Sequence, residues 1–154
     1  MVCWGRSERR FAIMRLDDAI PVIRDHIGRM AGLYQKTVFD EWVVISAAGK
    51  KGRVLAYEGE RREEFARSFP ADLQAFGPEL LLSPHAPGDY GFSRHGTGTH
   101  FDAYLVLGED VFLICNNTRQ SMTGITQDPL WLKAQVPFVE LSEKFRAEPL
   151  IPSG

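Results

Sequence analysis

Apolar runs and turn signals in this chain follow an order that few folds can accommodate: helix, two strands, helix, three strands, helix. The spacing predicts a helix near 18–34, strands at about 39–47 and 53–58, and a second helix at about 60–76. Three strands are predicted at about 90–95, 101–107 and 111–116, with a last helix from about 129 to 146. That αββαβββα order predicts an α+β domain: a single antiparallel five-stranded sheet flanked by three main helices. Residues 1–15 are expected to be a flexible arm, 16–148 the domain and 149–154 a tail, with Met14 an alternative start.

The local signals behind these elements are physical. Ile20, Ile23, Ile27, Met30 and Tyr34 recur in steps of three and four, so they share one helix face. Asp17 or Asp18 is the expected cap, which puts Pro21 in the first turn, and Gly28 and Gly32 are expected to fray the end beyond Met30. Trp42-Val43-Val44-Ile45 is continuously apolar and rich in β-branched side chains, as a strand covered on both faces should be. The turn Ala47-Ala48-Gly49-Lys50-Lys51-Gly52 leads into Val54-Leu55-Ala56-Tyr57, completing a hairpin. Phe65, Phe69, Leu73 and Phe76 give the second helix its apolar face, and Pro70 either kinks it or restarts it with Ser68 as cap. Leu80-Leu81-Leu82, inside a segment rich in proline, is compatible with helix or strand. Asp128-Pro129 marks the start of the last helix, which Pro137 should bend.

Charge excludes some partners. Residues 1–15 carry four arginines against one glutamate (+3), and the remaining 14 basic and 19 acidic residues sum to −5, for a net −2. A balance this close to neutral gives no bulk case for nucleic acid. No apolar run approaches the ~20 residues a membrane span needs. The N-terminus, broken by Arg6, Glu8, Arg9 and Arg10, does not read as a secretory signal, so a cytoplasmic protein is expected. The sequon Asn116-Asn117-Thr118 then has no role in glycosylation. Cys3 and Cys115 do not make a disulfide framework, and Cys115, inside the run Val111-Phe112-Leu113-Ile114, reads as a buried structural thiol.

Catalytic signals are sparse. His85, His95 and His100, with Asp89 and Asp102, carry metal-ligating side chains, but two histidines five apart across a Gly/Thr loop match no ligand spacing. Gly49-Lys50-Lys51 lacks the phosphate-loop pattern and joins two strands, so it reads as a solvated turn. Lys50, Lys51, Arg53, Arg61 and Arg62 are diluted by Glu58, Glu60, Glu63 and Glu64 and read as a mixed solvated face. No serine sits in a nucleophile elbow. The expectation is a protein without catalytic residues, cofactor or metal.

The element order, the glycine-bearing turn after Trp42-Val43-Val44-Ile45 and the closing strand pair before a terminal amphipathic helix resemble the Roadblock / dynein light chain family over about residues 16–146. The resemblance implies one antiparallel sheet with the middle helix on one face and the terminal helices on the other. It further implies dimerisation through the middle helix and the neighbouring edge strand, and a role as scaffold or regulator of small Ras-like GTPases. By position, the implied interaction residues are Phe65, Phe69 and Leu73 on the helix, and Tyr90, Phe92 and Arg94 on the strand. Pro70 and the Pro-rich 77–89 segment depart from the family pattern. The leading expectation is therefore a non-enzymatic homodimeric interaction module, with itself and a small GTPase as partners. Its rival is a PAS-, GAF- or profilin-like sensor holding a small molecule between sheet and helix near Trp42, Tyr57 and Tyr104. A metal-dependent hydrolase using His95 and His100 is the weaker alternative.

Overall fold

The computed structural model describes residues 12–47, 53–61, 63, 85–93, 101–119, 125 and 127–151. Helix α1 spans Leu16–Tyr34 and buries Ala19, Ile23, Ile27, Met30 and Tyr34, the face its three-and-four spacing dictates. It begins earlier than expected. Asp17 and Asp18 lie inside the first turn, where they complement the helix dipole, and Arg15 stands at the cap position without a capping side chain. Pro21 consequently falls in the helix interior. Gly28 and Gly32 do not end it, because the buried Met30 and Tyr34 anchor the last turns. Gln35, at φ 67°, then closes the helix through its N–H to the Ala31 carbonyl at 2.8 Å.

Five strands form the sheet: β2 (Glu41–Ser46), β3 (Arg53–Glu58), β4 (Tyr90–Ser93), β5 (Phe101–Gly108) and β6 (Val111–Asn117), in the order β3-β2-β6-β5-β4. Every neighbouring pair is antiparallel. Hairpins make most of these pairs. The β2–β6 pair is the long-range one and sets Glu41 opposite Asn116. A second, parallel sheet joins β1 (Met14–Arg15) to β7 (Leu150–Ile151), bringing the two ends of the described domain together.

Alternation along the strands divides the sheet into two apolar faces. Trp42, Val44, Phe101, Ala103, Leu105, Leu113 and Cys115 face α1 and the last helix in the main core. Val43, Ile45, Val106, Phe112 and Ile114 form a smaller buried cluster on the opposite face, with Tyr57 and Tyr104 against it. Near β4 the main core is aromatic. Phe92 stacks on Phe101 with centroids 5.6 Å apart and meets Trp131 edge-on at 5.3 Å.

The expectation of three main helices is corrected. Among the described residues there are two, α1 and α3 (Val136–Ala147), with one four-residue turn of helix, α2 (Trp131–Ala134), and the small parallel sheet as additions. The continuous helix expected from 129 to 146 is broken at Gln135, because Pro137 lacks the N–H that would bond back to Lys133 and instead opens α3 in its first turn. Asp128 still acts as a local cap, accepting from the Leu130 N–H at 2.9 Å before α2 begins. The second helix expected over 60–76 and the leucines 80–82 lie almost wholly outside the described residues. No helix among the described residues is long and apolar enough to cross a membrane.

Candidate functional site

One end of the sheet gathers the polar chemistry. The antiparallel register brings the start of β2, the end of β3 and the end of β6 to the same side, just beyond the C-terminus of α1. The 35–40 loop is fastened to β6 there. The buried Asn117 donates from Nδ2 to the Val38 carbonyl at 2.7 Å, satisfying loop backbone that no ladder reaches. Asp40 donates its N–H to the Asn116 carbonyl at 3.0 Å. Its carboxylate in turn accepts from the Thr118 N–H at 3.2 Å and from Thr118 Oγ1 at 2.5 Å.

Beside this knot lies Glu41, only 2% exposed. A buried carboxylate is tolerable only with donors around it. Four surround this one. Arg61 approaches with Nη2 and, at 3.3 Å, with Nε; Tyr57 Oη donates at 2.9 Å and Asn116 Nδ2 at 3.2 Å. Tyr57 Oη also accepts the Arg61 N–H at 3.0 Å, so side chain and backbone of Arg61 are both held. Burial pushes the Tyr57 phenol up to about 12, reinforced by the Glu41 charge and opposed by the hydrogen bond from Arg61. The hydrogen bond to Glu41 raises the Arg61 guanidinium above its ordinary value, against the opposing effect of burial. Gly59 makes this geometry possible: its φ is 154°, and an added Cβ would lie 2.5 Å from Tyr57 Oη and 2.7 Å from Glu41 Cβ.

These groups wall a cavity of about 640 Å³ lined by Lys36, Thr37, Phe39, Asp40, Glu41, Glu60, Arg61, Asn117, Thr118 and Arg119. Two of its carboxylates are committed, Asp40 to Thr118 and Glu41 to Arg61. Lys36 and Arg119 are exposed and have no ion-pair partner among the described residues. Such a cavity can hold a small polar molecule. Among the described residues no group of three or more His, Cys, Asp and Glu side chains is arranged to hold a metal.

The sequence-derived candidates fall elsewhere. Tyr90 and Phe92 point from β4 toward α2 and α3, where Phe92 meets Phe138 at 5.4 Å and Tyr90 meets it at 5.8 Å, with Tyr90 38% exposed. Phe65, Phe69, Leu73, Arg94, His95 and His100 lie outside the described residues. His85 sets its ring edgewise against Tyr104 and Phe112 at 6.2 and 6.5 Å. Trp42 faces the helices while Tyr57 and Tyr104 face the other way, so the sheet separates the three residues expected to surround one ligand. Arg61, read as part of a solvated face, is instead the partner of a buried carboxylate. Cys115 is fully buried, and burial pushes its thiol well above the ordinary value, assisted by the Asp102 charge. The sequence reading missed Asp40, Glu41, Asn116, Asn117 and Thr118. The available signal was an Asp-Glu pair opening one apolar strand and an Asn-Asn-Thr run closing another.

No protein-family model matches the chain, and no curated protein sequence matches it.

Proposed function

We propose that this protein is a small-molecule-binding module whose ligand site is the cleft at the shared end of β2, β3 and β6. One observation carries the reading: a cavity of about 640 Å³, within the size range of small-molecule sites, whose lining comes from three separate chain segments. The bonds Asp40–Thr118, Asn117–Val38 and Glu41–Arg61 lock that lining before any ligand arrives, so little ordering entropy remains to oppose binding. Every lining residue but Phe39 carries a polar or charged side chain, which suits a hydrophilic ligand rather than a lipid.

The test is a thermal-shift screen of a metabolite library against wild type and Thr37→Trp, in which a bulky side chain obstructs the exposed rim of the cleft. A site-specific ligand at about 100 times its Kd stabilises by about 2.7 kcal/mol. Compounds that raise Tm in the wild type and lose the effect in Thr37→Trp support the reading. A library without stabilisers, or stabilisers indifferent to the substitution, refutes it.

A second reading, the dimeric scaffold implied by the Roadblock resemblance, is favoured by β4 standing at the sheet edge with Tyr90 exposed beside it. Sedimentation equilibrium separates the two readings: a dimer broken by Tyr90→Lys supports the scaffold, and a monomer at all concentrations removes it.

A further inference from the structure

We propose that the molecule taken by this cleft is a small organic anion, its carboxylate or phosphate group held between the Lys36 ammonium and the Arg119 guanidinium. The inference rests on the cleft being a ligand site and adds the chemical class of what it binds.

The charged groups of the lining are unevenly engaged. Three cations and three carboxylates surround the cavity, so the formal charge cancels. The commitments do not. Asp40 keeps its negative charge, but its oxygens are engaged by the Thr118 N–H and hydroxyl. Glu41 is met by Arg61, Tyr57 and Asn116, and that pairing uses Arg61 in return. What still faces the cavity without a partner among the described residues is Lys36 and Arg119 against Glu60, two unengaged cationic donors against one unengaged carboxylate. Phe39, packed on Phe101 with centroids 5.4 Å apart, backs the cleft with low-dielectric material that strengthens a charge-assisted contact there.

The chemistry of Lys36 and Arg119 selects the ligand further. Arg119 offers a planar fork suited to two oxygens of a carboxylate or phosphate, and Lys36 offers a point charge with three donors. They approach from different segments, one after α1 and one after β6, so an oxyanion between them ties the two segments together. A cationic or neutral ligand would leave both unmatched. Glu60 works against the anion, and its neutralisation should strengthen binding.

The test titrates ¹⁵N-labelled protein with pyrophosphate, citrate, glucose and putrescine, following the amides of Thr37, Asn117, Thr118 and Arg119. The expected result is saturable shifts with pyrophosphate or citrate, whichever oxyanion is preferred. Binding should weaken about fivefold or more in both Lys36→Ala and Arg119→Ala and tighten in Glu60→Gln. Both alanine variants should keep the wild-type Tm, since each removed side chain is exposed and unpaired within the described structure. Raising ionic strength toward about 0.15 M should weaken the anion but not a neutral ligand. Saturable shifts from glucose or putrescine alone, or anion binding unaffected by either alanine variant, overturn the anion class while leaving a ligand site standing. Absence of any saturable cleft shift, together with a thermal-shift library that yields no stabiliser, overturns both.

Discussion

Replacing Arg61 by methionine removes the guanidinium from a carboxylate that is 2% exposed and keeps most of the aliphatic bulk. Losing one partner of a fully buried pair costs about 3–5 kcal/mol, mostly because the other charge is stranded. Two features of this site lower that figure. The Arg61 side chain is 43% exposed, so water screens part of the interaction, and Glu41 retains the Tyr57 hydroxyl and the Asn116 amide. We therefore expect a loss of about 2–3 kcal/mol, equivalent to a Tm about 5–10 °C lower in a chain of this size. Urea unfolding followed by fluorescence reads it directly, since Trp42 lies beside the network and donates to Glu58 at 3.1 Å. Adding Glu41→Gln to Arg61→Met should recover part of the loss, because no buried charge is left to strand. A loss below about 0.5 kcal/mol would mean that the pair behaves as an ordinary surface salt bridge, and the site's claimed rigidity would be wrong.

Three further outcomes follow from the same geometry. Tyr57 holds its proton to about 12 in the folded state against 10.0 ordinarily, so its contribution is fully present below pH 10 and is lost as pH rises toward 12. Discounted for partial exposure, that is about 1–2 kcal/mol in alkaline urea melts, and Tyr57→Phe should lack this component. Gly108→Ala drives a Cβ to 2.0 Å from the Leu150 carbonyl oxygen and should destabilise by about 1–3 kcal/mol or more, with loss of amide protection at Met14 and Leu150; wild-type stability would show that β7 does not lie against β5. In a Cys3→Ser background, Cys115 should resist an aromatic disulfide reagent until urea unfolds the chain, and labelling of the native protein would contradict its burial.

Sequence pattern was informative wherever a periodicity was unopposed. The face of α1 carrying Ile23, Ile27, Met30 and Tyr34, and the apolar runs of β2, β5 and β6, emerge in the structure as read. Interruptions were harder to weigh. Pro137 was expected to bend a helix but separates two, because a missing N–H costs least in a first turn. Gly28 and Gly32 were expected to fray α1, yet burial of Met30 and Tyr34 outweighs their propensity. The site itself was illegible for a topological reason. Glu41 and Asn116 are 75 residues apart, and only the β2–β6 pairing makes them neighbours. No local spacing encodes which strand ends share a side of the sheet. Likewise Arg61 looks like one charge in a mixed run until the β2–β3 register places it over Glu41.

The most direct test of the central claim is a crystal structure of the protein with its most stabilising small-molecule ligand. The account predicts the ligand in the cleft, touching Lys36, Thr118 and Arg119, with the Glu41–Arg61 pair undisturbed behind it. A ligand bound elsewhere, or a cleft left empty while β4 extends into the sheet of a second copy, would contradict it.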